Sequence, residues 1–452
     1  MPAAMEYAPE DASLREAANK ELKARREDCA HAWKYYRGDH RRHLRQDRDG
    51  TDDNVVINLW KQAIDREVTF LFPAMVGLEL DESQDTEAER WLRLAWEANK
   101  GTRLLRQLGK FGAVCGHVFA KLMLDERSAY PRVVALDPAN VLCWWRADDY
   151  ERVLWYEIRW SVGTTEYRQD IVDMGDGGWK LIQYAQVRGV GGQAGKWEAV
   201  AEESWAYPLG PIVDWPHVAM PGNYYGSNES ALLRLNDKVN KVASDISRIL
   251  RFHASPKTVG TGFDAEKVTE TAVENFWVVN NENAKIYNLE MASDLVSSMN
   301  YLEALTAGFM AEKRSVILKG AAADFQRVTN MGVRTIFMDA LAKVAELRLQ
   351  YEPGVVAISQ RLRMLGGFYD FDAPIVTAWP DPLPHDPNET VSVLEREMGM
   401  GIVSKETAAR ERGRNWKVEQ ERIAEEDSAN DNAVMRQLQS EMGAGDAATT
   451  TA

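Results

Sequence analysis

The apolar positions of the chain change their spacing twice. Helical spacing runs to about residue 114, period-two alternation runs from Gly116 to about Tyr207, and long helical stripes follow. The first part predicts a helix rich in Ala, Glu, Lys and Arg over 9–36, stopped at Gly38. A second helix follows Asn54-Val55-Val56-Ile57-Asn58, with Leu59, Ile64, Val68 and Leu71 inward and Pro73 as its close. A third over 86–99 carries Trp91, Leu94, Ala95 and Trp96, and a fourth covers about 102–114. The alternating segments are 118–124, 133–136, 141–145, 153–160, 167–173, 179–188 and 197–207. Turn residues between them, such as Asp176-Gly177-Gly178, predict an antiparallel sheet of hairpins.

Beyond Pro221-Gly222 the spacing lengthens. Leu232, Leu235, Val239, Val242, Ile246 and Ile249 alternate steps of three and four, as in a helix that packs lengthwise on other helices. With Asn228 as cap and Ser255-Pro256 as stop it covers 228–253, about 39 Å at about 1.5 Å per residue. Another face carries Arg234, Lys238, Lys241, Asp245 and Arg248, and the pattern leaves open whether it is solvated or meets a neighbour or a polyanion. A compact insert over 254–291 predicts a short helix at 265–274 and strands at 276–279 and 285–289 around an Asn-rich turn. A second long helix at 293–315 shows Leu295, Met299, Leu302, Phe309 and Met310. It ends in the small-residue segment 316–324, where Gly320 favours a break. A third helix restarts near Phe325 and runs to about Gln350, and Pro353 predicts a kink or restart before 355–365. An extended stretch at 368–379 and a proline-rich linker at 380–387 lead to a capping box at Asp386-Pro387-Asn388-Glu389, whose helix stops at Gly399. Ser404 caps another helix, a charged turn or two covers 418–426, and the polar end from Ser428 is expected to be disordered. The fold class read from this order is α+β, mainly α.

Composition narrows the function. The 452 residues leave room for two or three domains, and a net charge of -15 opposes a tight grip on nucleic acid while permitting DNA to slide past. Cys29, Cys115 and Cys143 have no CxxC spacing, which fits a reducing compartment. The first ten residues lack a secretory pattern, and the apolar run at 70–80 is broken by Pro73 and Gly77 and too short to cross a bilayer. The Gly-rich run at 189–195 lies between strands and reads as a hairpin loop; no GxxxxGK[ST] occurs. His40 and His43 have no HExxH partner, and His117, His217, His253 and His385 are isolated. Asp52-Asp53, Asp125-Glu126 and Asp148-Asp149 sit in turn contexts. No catalytic, cofactor or metal site is predicted, and the chain reads as a non-enzyme.

One family gathers these pieces in order. The carrying residues are Tyr35-Tyr36-Arg37-Gly38-Asp39-His40 followed by Asn54-Val55-Val56-Ile57-Asn58, the strand onset at Gly116-His117-Val118, and Leu136-Asp137-Pro138. The two long helices around a compact insert, the loop from Lys319 to Asp324, and Gly401-Ile402-Val403-Ser404-Lys405-Glu406-Thr407 before the acidic 419–426 complete them. Over about 10–427 the chain resembles the portal proteins of tailed bacteriophages, in particular the family typified by a siphophage of Bacillus.

The resemblance implies a portal fold: a wing over 1–227 with helices at 9–114 and a sheet at 116–215, stem helices at 228–253 and 293–315, and a small α/β clip at 254–292. It further implies a tunnel loop at 316–324, a long kinked helix and wing return at 325–379, crown helices at 380–427 and a tail at 428–452. Lys319, Gly320, Ala321, Ala322, Ala323, Asp324 and Arg327 would face DNA in the channel. Leu232, Leu235, Val239, Val242, Ile246 and Ile249 would pack between subunits. Lys257, Glu266, Lys267, Asn281, Glu282 and Lys285 would meet the terminase at the clip. The implied partners are further copies in a ring, usually of twelve subunits, double-stranded DNA passing without sequence preference, the terminase large subunit, head-completion adaptors, and the major capsid and scaffolding proteins. No cofactor and no membrane is implied; the place is the capsid portal vertex of a virion assembled in the host bacterial cytoplasm. Another ring-forming interaction protein, or a nucleic-acid-processing enzyme, is the alternative.

Overall fold

The computed structural model describes residues 12–40, 44, 54–80, 87–125, 127–146, 148–175, 177–187, 196–254, 258–261, 269–271, 276–278, 285–288, 295–316, 330–368, 370, 372–383, 387–411, 416 and 419–426. It is α+β and mainly α, as the spacing predicts. The chain divides into two compact units, 1–382 and 383–452.

The helical start follows its apolar pattern closely. α1 (Ala12–Tyr36), α2 (Leu59–Leu71), α3 (Glu87–Ala98) and α4 (Gly101–Cys115) form, with a short strand β1 (Gly77–Glu79) between α2 and α3. The Asn58 side chain accepts the Lys61 amide at 2.9 Å and so caps α2. α4 stops at Gly116, whose φ of 86° is left-handed and which approaches Gly226 so closely that a Cβ would lie 2.4 Å from the Gly226 carbonyl oxygen.

Where alternation predicts a single sheet, the strands form two. β2 (His117–Met123), β3 (Arg132–Leu136) and β9 (Ile212–Pro216) make a three-stranded sheet in the order β3-β2-β9. β4 (Val141–Arg146), β5 (Asp149–Val162), β6 (Thr165–Asp173), β7 (Trp179–Val187) and β8 (Glu198–Trp205) make a five-stranded meander. The division falls at Asp137, whose side chain accepts the Ala139 amide at 3.0 Å and turns the chain through a 3-10 step at Pro138–Asn140. A half-buried carboxylate joins the sheets. Asp214 of β9 accepts hydrogen bonds from Tyr156 of β5 at 2.5 Å and from Tyr224, and pairs with His117 of β2 at 2.9 Å. Burial alone would raise this carboxyl, but the bonds from His117, Tyr156 and Tyr224 hold it below the ordinary range.

Asp170 on β6 shows the opposite balance. It is 2% exposed, and burial pushes its pKa to about 7 although the Arg168 guanidinium lies 3.0 Å away. A folded pKa above the ordinary 3.8 means that the folded chain binds the extra proton, so this contribution is present below pH 3.8 and lost as pH rises through about 7. Asp170→Asn should therefore stabilise the protein at pH 8 by roughly 2–4 kcal/mol and leave it unchanged near pH 3.5. Denaturant midpoints of the two proteins at both pH values check this.

After the hairpin of β10 (Val218–Met220) and β11 (Asn223–Ser227) the long helix begins later than its cap residue predicts. The Asn228 side chain accepts the Ser230 amide at 3.1 Å and donates to the Val114 carbonyl at 2.9 Å. Glu229 is left-handed (φ 56°), a 3-10 turn covers Ser230–Leu232, and α5 runs over Leu233–Ala254. In the insert, β12 (Thr258–Thr261) pairs with β15 (Lys285–Asn288), and β13 (Thr269–Thr271) pairs with β14 (Phe276–Val278). Thr269–Thr271 is thus a strand inside the expected helix 265–274; its two β-branched residues favour the extended pairing. α6 (Leu295–Glu312) returns along α5. α7 (Asn330–Ile336) and α8 (Met338–Leu365) follow.

α8 continues through Pro353 without a restart, and the break between helices falls at Phe337. At that point of α8 Gly354 lies flat on the Trp215 ring, where a Cβ would sit 2.4 Å from the indole. β16 (Val376–Ala378) pairs with β1. One core cluster joins α2, α3, α4 and α8 to the three-stranded sheet around Phe72, Trp96, Leu105, Trp215 and Tyr351. A second joins α1, α2, α5 and α6 around Trp60, Ile64, Val239, Phe309 and Met310. The second unit holds α9 (Pro387–Gly399) and α10 (Lys405–Glu411), the latter capped by Ser404, whose hydroxyl accepts the Thr407 amide at 3.1 Å. Among the described residues no helix is long and apolar enough to cross a membrane. The segment 317–329, most of 255–294 and the tail after 426 lie outside the described residues.

Candidate functional site

α5 carries nearly all of the residues that the resemblance assigns to contacts between subunits, and α6 packs antiparallel along it. Of the stripe, Leu232 in the 3-10 turn and Val239 and Ile246 on α5 are buried within the protomer, and Leu235, Val242 and Ile249 are half-buried. Val239 packs with Trp60 of α2 and Phe309 of α6, so the chain itself covers much of the face assigned to neighbours.

Beside the stripe runs a polar ladder that the apolar spacing does not reveal. Asn236, Asn240 and Ser244 recur every four residues and are buried on one face of α5. Asn236 accepts the Trp60 amide at 3.1 Å and donates to the Ile57 carbonyl at 2.9 Å. Asn240 accepts the Ile57 amide at 2.8 Å, and its amide group contacts His40 Nδ1 at 2.8 Å. The Ser244 hydroxyl accepts the Val55 amide at 2.9 Å. The extended segment 54–58, strand-like in sequence, thereby satisfies its backbone on helix side chains instead of a sheet. Asn240→Ala leaves the Ile57 amide and His40 without these partners and should cost about 1–3 kcal/mol of unfolding free energy. The urea midpoint, at unchanged slope, checks it.

The charged face of α5 divides. Arg248 is held by Asp245 and Asn54 at 2.9 and 2.8 Å, whereas Arg234, Lys238 and Lys241 are exposed. Opposite its contact with α5, α6 turns Val296, Met299 and Tyr301 to solvent together with Ala304, Ala307, Gly308 and Ala311. The charged residues exposed on α6 are Glu303 and Glu312, fewer than on an ordinary solvated helix.

The helix pair enters the rest of the unit through a buried ionic cluster. Glu67 of α2 lies 3.2 Å from Lys313, just beyond α6, and 2.9 Å from Lys343 of α8. Glu229, just before α5, binds both lysines, with Lys343 at 2.7 Å. Burial opposes charge on Glu67, but Lys313, Lys343 and His217 hold its carboxyl well below the ordinary range. Burial likewise opposes charge on Lys313, and Glu67 and Glu229 overcome it and raise the ammonium. His217 Nε2 lies 2.9 Å from Glu67 and its Nδ1 lies 2.8 Å from the Tyr351 hydroxyl. The imidazole therefore bridges Glu67 of α2 and Tyr351 of α8 through its two ring nitrogens. Each ionic group here has opposite charges in contact, so the cluster is suited to joining α2, α5, α6 and α8.

The remaining predicted residues are placed only in part. Lys319, Gly320, Ala321, Ala322, Ala323, Asp324 and Arg327 lie outside the described residues, as do Lys257, Glu266, Lys267, Asn281 and Glu282. Lys285 opens β15, paired with Thr261.

The model of the family described as "Phage portal protein, SPP1 Gp6-like" matches residues 16–174, from α1 to β6. No curated protein matches the chain. Among solved structures, a chain in the neck of an empty GTA particle computed with C6 symmetry is 14% identical, with 78% of this chain and 89% of that chain covered and a TM-score of 0.45. A chain in the virion of a native gene transfer agent particle is also 14% identical, with 78% and 89% covered and a TM-score of 0.40. A chain in the neck of a native GTA particle computed with C12 symmetry gives 14%, 78%, 90% and 0.41.

Proposed function

We propose, from the phage portal family match over residues 16–174, that this chain is a portal subunit whose copies close into a ring at one capsid vertex. Double-stranded DNA would enter through the ring during packaging and leave through it at ejection. The ring is expected to hold twelve copies. α5 and α6 form its stem, 254–292 its clip, 316–324 its tunnel loop and 380–427 its crown.

Physical features of the chain agree with this role. The solvent-facing side of α6 is apolar or small along most of its length, which lets a second helix approach closely; the exposed Arg234, Lys238 and Lys241 of α5 offer an adjacent copy a partner for Glu303 and Glu312 of α6. Repetition of one such heterologous contact closes a ring when the rotation allows it. A channel built from a chain of net charge -15 repels the duplex, which favours passage over binding, and Lys319 and Arg327 supply transient phosphate contacts. Work comes from the terminase large subunit docked at Lys257, Glu266, Lys267, Asn281, Glu282 and Lys285. Head-completion adaptors replace it later, and capsid and scaffolding proteins surround the wing.

Deleting Gly320, Ala321, Ala322 and Ala323 tests the channel assignment. Rings should still assemble, and packaged DNA in a phage assay should fall at least tenfold. Normal packaging would remove this loop from the channel.

A further inference from the structure

Three residues other than glycine have a left-handed backbone among the described residues: Lys100, Glu229 and Arg314. Two of them flank the same cluster. Glu229 (φ 56°) stands immediately before the 3-10 turn that starts α5, and Arg314 (φ 52°) stands two residues after α6. Both ends of the helix pair at which it joins the rest of the unit are therefore in a conformation that side chains with a Cβ avoid. Such outliers persist only where the surroundings over-determine them.

The surroundings here are ionic. Glu229 binds Lys313 and Lys343, and Lys313 lies 5.2 Å over the Trp60 ring. The Lys343 ammonium donates to the Lys313 carbonyl at 3.3 Å, next to the end of α6. Arg314 reaches Glu346, one turn further along α8, at 2.8 Å. Thus α8 holds the start of α5 through Lys343 and the end of α6 through both Lys343 and Glu346. A buried pair of lysines against two carboxylates is stable closed and costly half-open, so its contacts break together.

We infer that this junction is a strained latch: the ionic cluster of Glu67, Glu229, Lys313 and Lys343 clamps the α5–α6 pair to α8 with Glu229 and Arg314 held left-handed, and its release lets the pair swing about those two residues. Glu229 and Arg314 are the pivots, and Lys343 is the positioning residue that spans both. The inference rests on the portal reading only for its purpose, which is movement of the stem as DNA passes; the latch itself belongs to the single chain.

Hydrogen exchange of the purified full-length protein tests it. Lys343→Met should speed amide exchange about tenfold over 229–236 and 305–316 while α4 (101–115) changes less than twofold. A rise of equal size in α4, or none at the two junctions, would overturn the latch. Arg314→Gly and Arg314→Ala both remove the bond to Glu346, but only glycine relieves the left-handed strain. Exchange over 309–316 should be about fivefold slower in the glycine variant than in the alanine variant, and equal rates would show that no strain is stored. All of these readings are independent of ring assembly and of DNA, so failure of the portal reading leaves them intact.

Discussion

Glu67→Gln is expected to lower the unfolding free energy by about 3–5 kcal/mol at pH 7, the largest loss foreseen for a change of three atoms or fewer. The substitution keeps the shape of the side chain but leaves Lys313, 1% exposed, and Lys343, 5% exposed, with Glu229 as the remaining carboxylate of the cluster. Two ammonium groups desolvated together against one partly exposed carboxylate cannot both remain charged cheaply. The pH dependence has a definite sign. Because the Glu67 carboxyl is held well below its ordinary 4.5, its contribution is complete above that pH and is lost as pH falls through the lower folded value. The gap between parent and variant should thus stay constant from pH 6 to 8 and narrow only in acid below 4.5, which denaturant titrations at several pH values measure. Replacing Glu67 and Lys343 together by methionine removes one charge of each sign, and should cost far less than the sum of the single changes.

Met299→Glu combined with Ala304→Glu is expected to abolish ring assembly and leave the folded monomer intact. Both residues face solvent on α6 in the single chain, so the monomer should change by no more than about 0.5 kcal/mol. In a ring that uses this face each interface would place two added carboxylates and their bulk where small and apolar side chains let the next subunit approach, a penalty of several kcal/mol repeated at every contact. Sedimentation velocity separates the outcomes, since the parent should run as a large closed species and the variant as the 51.0 kDa chain. A variant that assembles like the parent would place the interface elsewhere on the helix pair.

The contrast between what the sequence reveals and what it hides follows the range of the interactions. α2, α3 and α4 and the hairpin strands are set by local spacing, caps and turns, and their limits fall within a few residues of the expected ones. The two-sheet arrangement is different, because β9 returns to β2 across some 90 residues and no local signal directs it there. Asn228 is a good cap residue by type, yet a bond to Val114 far along the chain draws its side chain into a turn and delays α5. Pro353 predicts an interruption from local stereochemistry, and packing of Tyr351, Gly354 and Val355 in the main core keeps the helix continuous.

At the candidate site the apolar stripe of α5 is legible, while its partner is not: the side that the resemblance assigns to neighbouring subunits is partly covered by α2 and α6 of the same chain. The buried ladder of Asn236, Asn240 and Ser244 carries its signal in a four-residue polar repeat, readable only when set beside the extended segment 54–58 whose backbone it bonds. The ionic cluster carries no sequence signal. Glu67 and Lys313 look like ordinary surface residues of amphipathic helices, and only the convergence of α2, α5, α6 and α8 buries them together.

Electron microscopy of the full-length protein tests the central proposal most directly. Closed rings are expected, twelve-fold in end-on class averages, with an axial channel wide enough for a B-form duplex and the α5–α6 pair lining or bracing it. A population that stays at 51.0 kDa at every concentration, with scaffolding protein present as well as absent, would contradict it.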